Sequence, residues 1–391
     1  MQEGLQLRGD PGSINAAHRD DTPSPSRYVI ISGYHDYRTP RRANLHFIAD
    51  ELAKRGSVFF LSLRYSLLTR FTEDPRHGLE QRSNRVEQHA NVACYLLRTP
   101  IHPCRLPRSL SFVERAVFAV FARWLPAPAR EAIATADIIF IESGIAIVYL
   151  PLLRRLSPRA RIVYIASDSL AAINQASTIR RALRRYASLI DGARLPSPLL
   201  RSELPASVPC HFIPHGVEPD KFERIGPSPY DAGTRNAVSV GSMLFDPRFF
   251  RIAAPLFSDV TFHIIGSGHE EVGPPNVIYY PEMPFADTLP FIKHADFAIA
   301  PYGEGVAPYL THTSMKLMQY GYLGVPAVCP DVIADQPGRF GYEIGIPSSI
   351  RAAVAAALLC KDLPAQSALD WSGVVQRLIS PQNFLDTRLA A

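Results

Sequence analysis

No stretch of this chain approaches the roughly 20 uncharged apolar residues that a membrane-spanning helix requires; the nearest candidate, IIFIESGIAIVYLPLL, is broken by Glu142. The N-terminal MQEGLQLRGDPGSINAAHRDDTPSPSR has no apolar core of the kind a secretory signal carries. It reads as a disordered tail over residues 1–26 and as a cytoplasmic address. Cysteine is sparse and odd in number: Cys94, Cys104, Cys210, Cys329 and Cys360 are scattered without CxxC spacing. Neither a disulfide framework nor a structural zinc site is suggested, and the five read as buried thiols. There is no GxGxxG and no GxxxxGK[ST], which argues against a dinucleotide oxidoreductase and a P-loop NTPase.

Charge is unevenly placed. Residues 1–210 hold 29 Lys+Arg against 18 Asp+Glu, a balance of +11, while residues 211–391 hold 12 against 18, or −6. A basic half can meet nucleic acid, anionic lipid or a phosphorylated substrate. The chain has no zinc finger, RNA-recognition signature or aromatic-interleaved basic strand, so nucleic acid is not expected as a partner.

At 391 residues the chain exceeds one ordinary core, and two domains with a cleft are expected. Short β-rich runs alternate with helical patterns. RYVIISG (27–33), SVFFLSL, DIIFIES and ARIVYIASD each end where a polar or glycine-containing loop begins. This is βα alternation, hence a parallel sheet with helices on both faces. The proline-dense 205–232 region reads as an interdomain connection between a first domain over 27–204 and a second over 233–365. There the alternation restarts with AVSVGSM, VTFHIIGSG, VIYYPEM, FAIAPY and PAVCP. A closing segment, 366–391, carries a helix with Trp371 on its apolar face.

Ligands of such sheets sit beyond the carboxyl ends of the strands. In the first half that places His35, Asp36, Glu142 and Asp168 under suspicion. Asp168 could take a proton from a substrate hydroxyl, or it could cap the next helix. The run YHDYRTPRRANLHF gathers His35, Asp36, Arg38, Arg41, Arg42 and His46, either as an anion site or as a solvated helix start. In the second half, Gly241–Met243 and Gly266–Gly268 lie where backbone N–H groups could approach a phosphate, or are plain βα turns. LSFVERAVFAVFARWL (110–125) sets Phe112, Phe118, Phe121 and Trp124 beside Arg115 and Arg123; it is either an interfacial helix or a core-packing one.

In HTSMKLMQYGYLGVP, Lys316 and Gln319 share one helical face amid apolar residues. This segment and FIPHGVEPDKF resemble the donor-site helix and domain passage of GT-B glycosyltransferases, two Rossmann-like domains facing across a cleft. Retaining relatives carry glutamates where this chain has Gln319 and Thr311, which argues against that subgroup and leaves room for an inverting enzyme. From about residue 27 to 388, HDYRTPRRANLHFI, FLSLRYS, IESGIA, ASDSLAAIN, GSMLFDPRFF, FHIIGSG, TSMKLMQY and GVPAVCP in order resemble the GumK family of glucuronosyltransferases. Departures fall at Ser169, Ala172 and Thr313.

The resemblance implies an inverting, metal-independent transfer of glucuronate from UDP-glucuronate to the mannose of a polyprenyl-diphosphate-linked oligosaccharide. The bond formed is β-1,2, the setting is exopolysaccharide biosynthesis, and the enzyme sits peripherally on the cytoplasmic face of the inner membrane, an anionic surface. By position it implies Asp168 as catalytic base and Met243, Glu282, Tyr302, Met315, Lys316 and Gln319 as the UDP-binding set. No cofactor and no metal are expected, and the absence of a DxD triplet fits. Two rivals remain: transfer of another UDP-sugar, and a non-catalytic sugar-nucleotide-binding subunit of a polysaccharide-synthesis complex.

Overall fold

The structure, a computed structural model, describes residues 26–269 and 273–387. The N-terminal tail expected over 1–26 lies almost wholly outside the described residues. Among them, two sheets form. The first has eight strands: β1 (Ser26–Ser32), β2 (Gly56–Ser66), β3 (Val86–His89), β4 (Val92–Thr99), β5 (Ile138–Glu142), β6 (Arg161–Ile165), β7 (Gly192–Leu195) and β8 (Cys210–Phe212). Their order is β3-β4-β2-β1-β5-β6-β7-β8. The second has six: β9 (Arg235–Val240), β10 (Val260–Ile265), β11 (Val277–Tyr280), β12 (Phe297–Ile299), β13 (Ala327–Pro330) and β14 (Arg339–Tyr342), in the order β11-β10-β9-β12-β13-β14. Every pairing is parallel except β3 with β4.

The parallel strands are apolar on both faces because helices cover both. In β1, Tyr28 and Ile30 face one core while Val29 and Ile31 face the other. The βα alternation of the sequence is thus the alternation of the fold. What it did not signal are β3, β7, β8 and β14, which are only three or four residues long, and the eight-residue β4. β8 falls inside the proline-dense stretch at 205–232, where it forms the edge of the first sheet through backbone pairing with β7.

The chain crosses between the sheets twice. It leaves the first after β8 and returns through residues 365–370 to the helix Trp371–Ile379, whose Trp371, Val374, Val375 and Leu378 bury against the first sheet and the helix Asn44–Ala53. Trp371 stacks on Phe47 at 4.8 Å, nearly coplanar. The two crossings touch: the Val217 amide donates to the Leu369 carbonyl at 2.8 Å, and a Cβ on Gly216 would lie 2.9 Å from the Trp371 ring. Only glycine lets them pass this closely.

Candidate active site

Two cavities open at the carboxyl ends of the strands. The larger, about 620 Å³, lies between the sheets and draws its walls from both. The smaller, about 400 Å³, lies in the first domain.

The helix Met315–Tyr322 supplies the floor of the larger cavity. Ser314 caps it, its Oγ accepting from the Leu317 amide at 3.3 Å. That cap sets the first turn so that Met315, Lys316 and Gln319 face the cavity. The Lys316 ammonium is buried and has no hydrogen-bond partner; burial pushes its pKa down to about 8. An ammonium in that state is held ready for an anion. Tyr302 stands behind the wall and not in it. It is fully buried, its hydroxyl shares a 2.6 Å hydrogen bond with Ser314 Oγ, and its ring lies 5.0 Å below Lys316 Nζ. It therefore fixes the cap and supports the ammonium through its π face. Met243 and Glu282 sit at the mouth, both well exposed, and Glu282 reaches Arg41 of the first domain at 3.5 Å.

Gly241 and Gly266 end β9 and β10 at φ +89° and +63°. Their own amides are taken by the carbonyls of Ile265 and Tyr280, at 2.8 and 3.0 Å. Their contribution is therefore the left-handed turn that brings the following residues to the cavity wall, and at Gly266 a close approach to Glu282.

The arginine-rich run divides. Asp36 and Arg38 are buried together, with Arg38 Nε 2.8 Å from Asp36 and Nη1 2.7 Å from Glu87, and Ser62 also donates to Asp36. His46 Nδ1 accepts from the Ala43 amide at 3.0 Å and its Nε2 meets the Asp36 carbonyl at 2.9 Å, closing the start of the helix. Asp36, Arg38 and His46 are therefore structural. Of the run's ionisable residues, Arg41 and Arg42 line the larger cavity, beside Pro40 and Phe47.

His35, Glu142 and Asp168 do come together, on the wall of the smaller cavity. Glu142 is buried; it accepts from Ser32 Oγ at 2.6 Å and from the Gly33 amide at 3.3 Å, and lies 3.5 Å from His35. Asp168 follows β6, where Ser143 Oγ holds its amide at 3.2 Å. It caps no helix, since the next one, Ser177–Arg185, begins beyond Ala176. Burial, then the negative charge of Glu142, push the Asp168 pKa up, while Tyr309 and His35 oppose the rise. A carboxylate held above its usual range is a stronger base than a free one. Tyr309 comes from the second domain, and no pattern in the sequence marks it. Cys104, expected buried, is exposed and lines the same cavity.

Beside this cavity the helix Ser111–Phe121 turns Glu114 and Phe118 inward and leaves Phe112, Val117 and Val120 exposed, with Trp124 just beyond it. Glu114 accepts from Thr178 of the neighbouring helix at 2.6 Å. That neighbour buries Ile179 and Leu183 and exposes Arg180, Arg181, Arg184 and Arg185. Among the described residues no helix is long and apolar enough to cross a membrane.

Residues 30–196 match the model of the glucuronosyltransferase GumK N-terminal domain. A UDP-glucuronate:glycolipid 2-beta-glucuronosyltransferase of Xanthomonas campestris pv. campestris is 45% identical over 368 residues, 93% of this chain and 91% of that one. The chain belongs to the GumK glucuronosyltransferase family. Solved structures agree on the fold of this GumK-family chain. A trehalose-6-phosphate structure from E. coli with bound UDP-2-fluoro glucose superposes with a TM-score of 0.57 at 14% identity, covering 93% of this chain and all of that one. HepE of Anabaena in complex with UDP and glucose gives 0.53 at 13%, over 92% of this chain and 100% of that one. The two-domain arrangement is the GT-B fold.

Proposed function

We propose that this GumK-family protein is an inverting transferase that moves glucuronate from UDP-glucuronate to a mannose hydroxyl of a polyprenyl-diphosphate-linked oligosaccharide. The bond made is β-1,2. The observation that carries the reading is the pairing of a buried ammonium without a hydrogen-bond partner at Lys316 in the cleft cavity with a half-buried, basic carboxylate at Asp168 on the wall of the smaller one. In this reading Asp168 takes the proton from the acceptor hydroxyl as that oxygen attacks the anomeric carbon of the sugar. The bond from that carbon to the diphosphate oxygen breaks on the opposite face, and its electron pair leaves with UDP. Lys316, with amides that follow Gly241 and Gly266, meets the charge that develops there. Met243, Met315 and Gln319 hold the nucleotide, Glu282 sits at the rim, and Tyr302 acts from behind Lys316. Arg41 and Arg42 suit the carboxylate that distinguishes glucuronate from glucose. No metal has a part in this scheme.

The acceptor is lipid-linked, so the acceptor cavity must meet a membrane. The exposed Phe112, Val120 and Trp124 next to the four arginines of the Ser177–Arg185 helix support peripheral attachment to an anionic leaflet, on the cytoplasmic side. Each arginine near the surface contributes about 1 kcal/mol.

The test is transfer of labelled glucuronate to a synthetic mannosyl-cellobiose-diphosphate-lipid with EDTA present and UDP-glucose in parallel. Transfer from UDP-glucuronate alone supports donor, acceptor and metal independence together. No transfer from either donor, in protein that binds UDP, sinks the reading.

A further inference from the structure

A third cavity, about 210 Å³, lies away from both substrate cavities, where β6, β7 and β8 meet the end of the Trp371–Ile379 helix. Its ionisable lining is Arg161, Asp191, Arg194, His211 and Arg377. Arg161 is satisfied, donating to the carbonyls of Leu378 and Ile379. Asp191 is engaged by Arg154 at 2.6 Å and by the Ile162 amide at 2.7 Å. His211 meets Thr387 Oγ1 at 3.3 Å.

Arg194 is different. It is fully buried, yet its partners are all uncharged. Nε donates to the Ile213 carbonyl at 2.9 Å, Nη2 to the Pro214 carbonyl at 2.8 Å, and Nη2 also lies 3.3 Å from His215 Nδ1. Its Nη1 has no partner, and neither does Nε of Arg377, whose Nη2 pairs with the exposed Asp386 at 3.0 Å. Burying a guanidinium without a counter-charge costs several kcal/mol. A cavity of this size is too small for a nucleotide or a drug-sized ligand but has room for an ion of a few heavy atoms.

We propose that this cavity is a binding site for a small oxyanion of the phosphate class, held by Arg194 and Arg377. The anion supplies the missing negative charge and takes hydrogen bonds from both unpartnered nitrogens. It also does something to the fold. Arg194 grips the carbonyls of Ile213 and Pro214, the start of the first crossing, and Arg377 belongs to the helix that receives the second. Occupancy therefore pins both crossings to the first sheet and sets the ease of domain movement.

The test is thermal denaturation of the full chain in saturating UDP, which occupies the cleft cavity, titrated with inorganic phosphate at constant ionic strength against chloride. A saturable rise in Tm of about 2–4 °C is expected. Arg377→Gln, at a partly exposed position, is expected to weaken the phosphate response at least five-fold. Lys316→Met, measured without UDP, is expected to keep it. The proposal is overturned if phosphate does no more than chloride, if Arg377→Gln responds like the parent, or if Lys316→Met abolishes the response, which would place the phosphate in the cleft.

Discussion

The hydroxyl of Tyr309 lies 3.3 Å from Oδ1 of Asp168 and donates to it across the cleft, so the proposed base in one domain is held by a phenol from the other. Tyr309 is buried, and burial, then the negative charge of Asp168, push its hydroxyl pKa well above the ordinary value, so it remains a donor at any working pH. The bond stabilises the charged form of Asp168 and holds its pKa below where burial and Glu142 alone would set it. Tyr309→Phe is therefore expected to move the acidic limb of the kcat/KM pH profile upward. An unchanged limb would show that the contact does not tune the base.

Asp168→Asn removes the base while keeping the shape. A fall in kcat of at least about 100-fold, with unaltered UDP affinity and Tm, is the expected outcome. In the parent protein the acidic limb should lie above the range of a free carboxylate, since both burial and Glu142 raise this group. Near-parental turnover in the variant would remove Asp168 from the mechanism.

Lys316 titrates in the opposite sense. Burial lowers its pKa to about 8, so the ammonium is present below that pH and is lost as pH rises through it. UDP affinity, measured by calorimetry, should fall by up to ten-fold per pH unit above about 8. Lys316→Met should bind UDP weakly at every pH. Without ligand it should melt higher than the parent below pH 8, because an unpaired buried charge has been removed. A flat affinity profile in the parent protein would contradict the role of the ammonium.

Replacing Phe112, Val120 and Trp124 together by serine leaves the inward Phe118 and Glu114 in place. Binding to anionic liposomes should drop at least ten-fold with Tm unchanged within about 1 °C, since exposed positions contribute little to stability. The remaining binding should vanish in high salt, which screens the arginines of the adjacent helix. Parental liposome binding in the triple variant would place the membrane contact elsewhere.

Gly266→Ala tests the turn. The position has φ +63°, and the new Cβ would approach Glu282 Cα at 3.3 Å. A loss of about 1 kcal/mol or more in urea unfolding is expected, with weaker UDP binding. Unchanged values for both would show that the turn relaxes freely.

The sheets were legible because parallel strands buried on both faces write continuous apolar runs, as in RYVIIS and VTFHII. β3 and β14 were not, because four-residue edge strands carry almost no periodicity. Position at a strand's carboxyl end correctly brought His35, Glu142 and Asp168 to one wall, and the helical spacing of Lys316 and Gln319 gave the cavity floor. The same positional rule swept in Asp36, which the fold uses to hold Arg38 and Ser62. Tyr309 could not be found this way: its meaning lies in a partner 141 residues away. Nor could the resting place of Trp371, whose apolar face fits many surfaces until Phe47 and Gly216 are set beside it.

The double crossing between the domains fixes what kind of machine this is. A single tether would let one lobe wander and twist over the other, whereas two strands joined at Val217 and Leu369 form a ribbon. Two connections joined in this way constrain relative twisting of the sheets more than one tether would. Trimming the chain before Trp371 would leave a single tether, without the Trp371–Phe47 stack that seats the second connection on the first sheet.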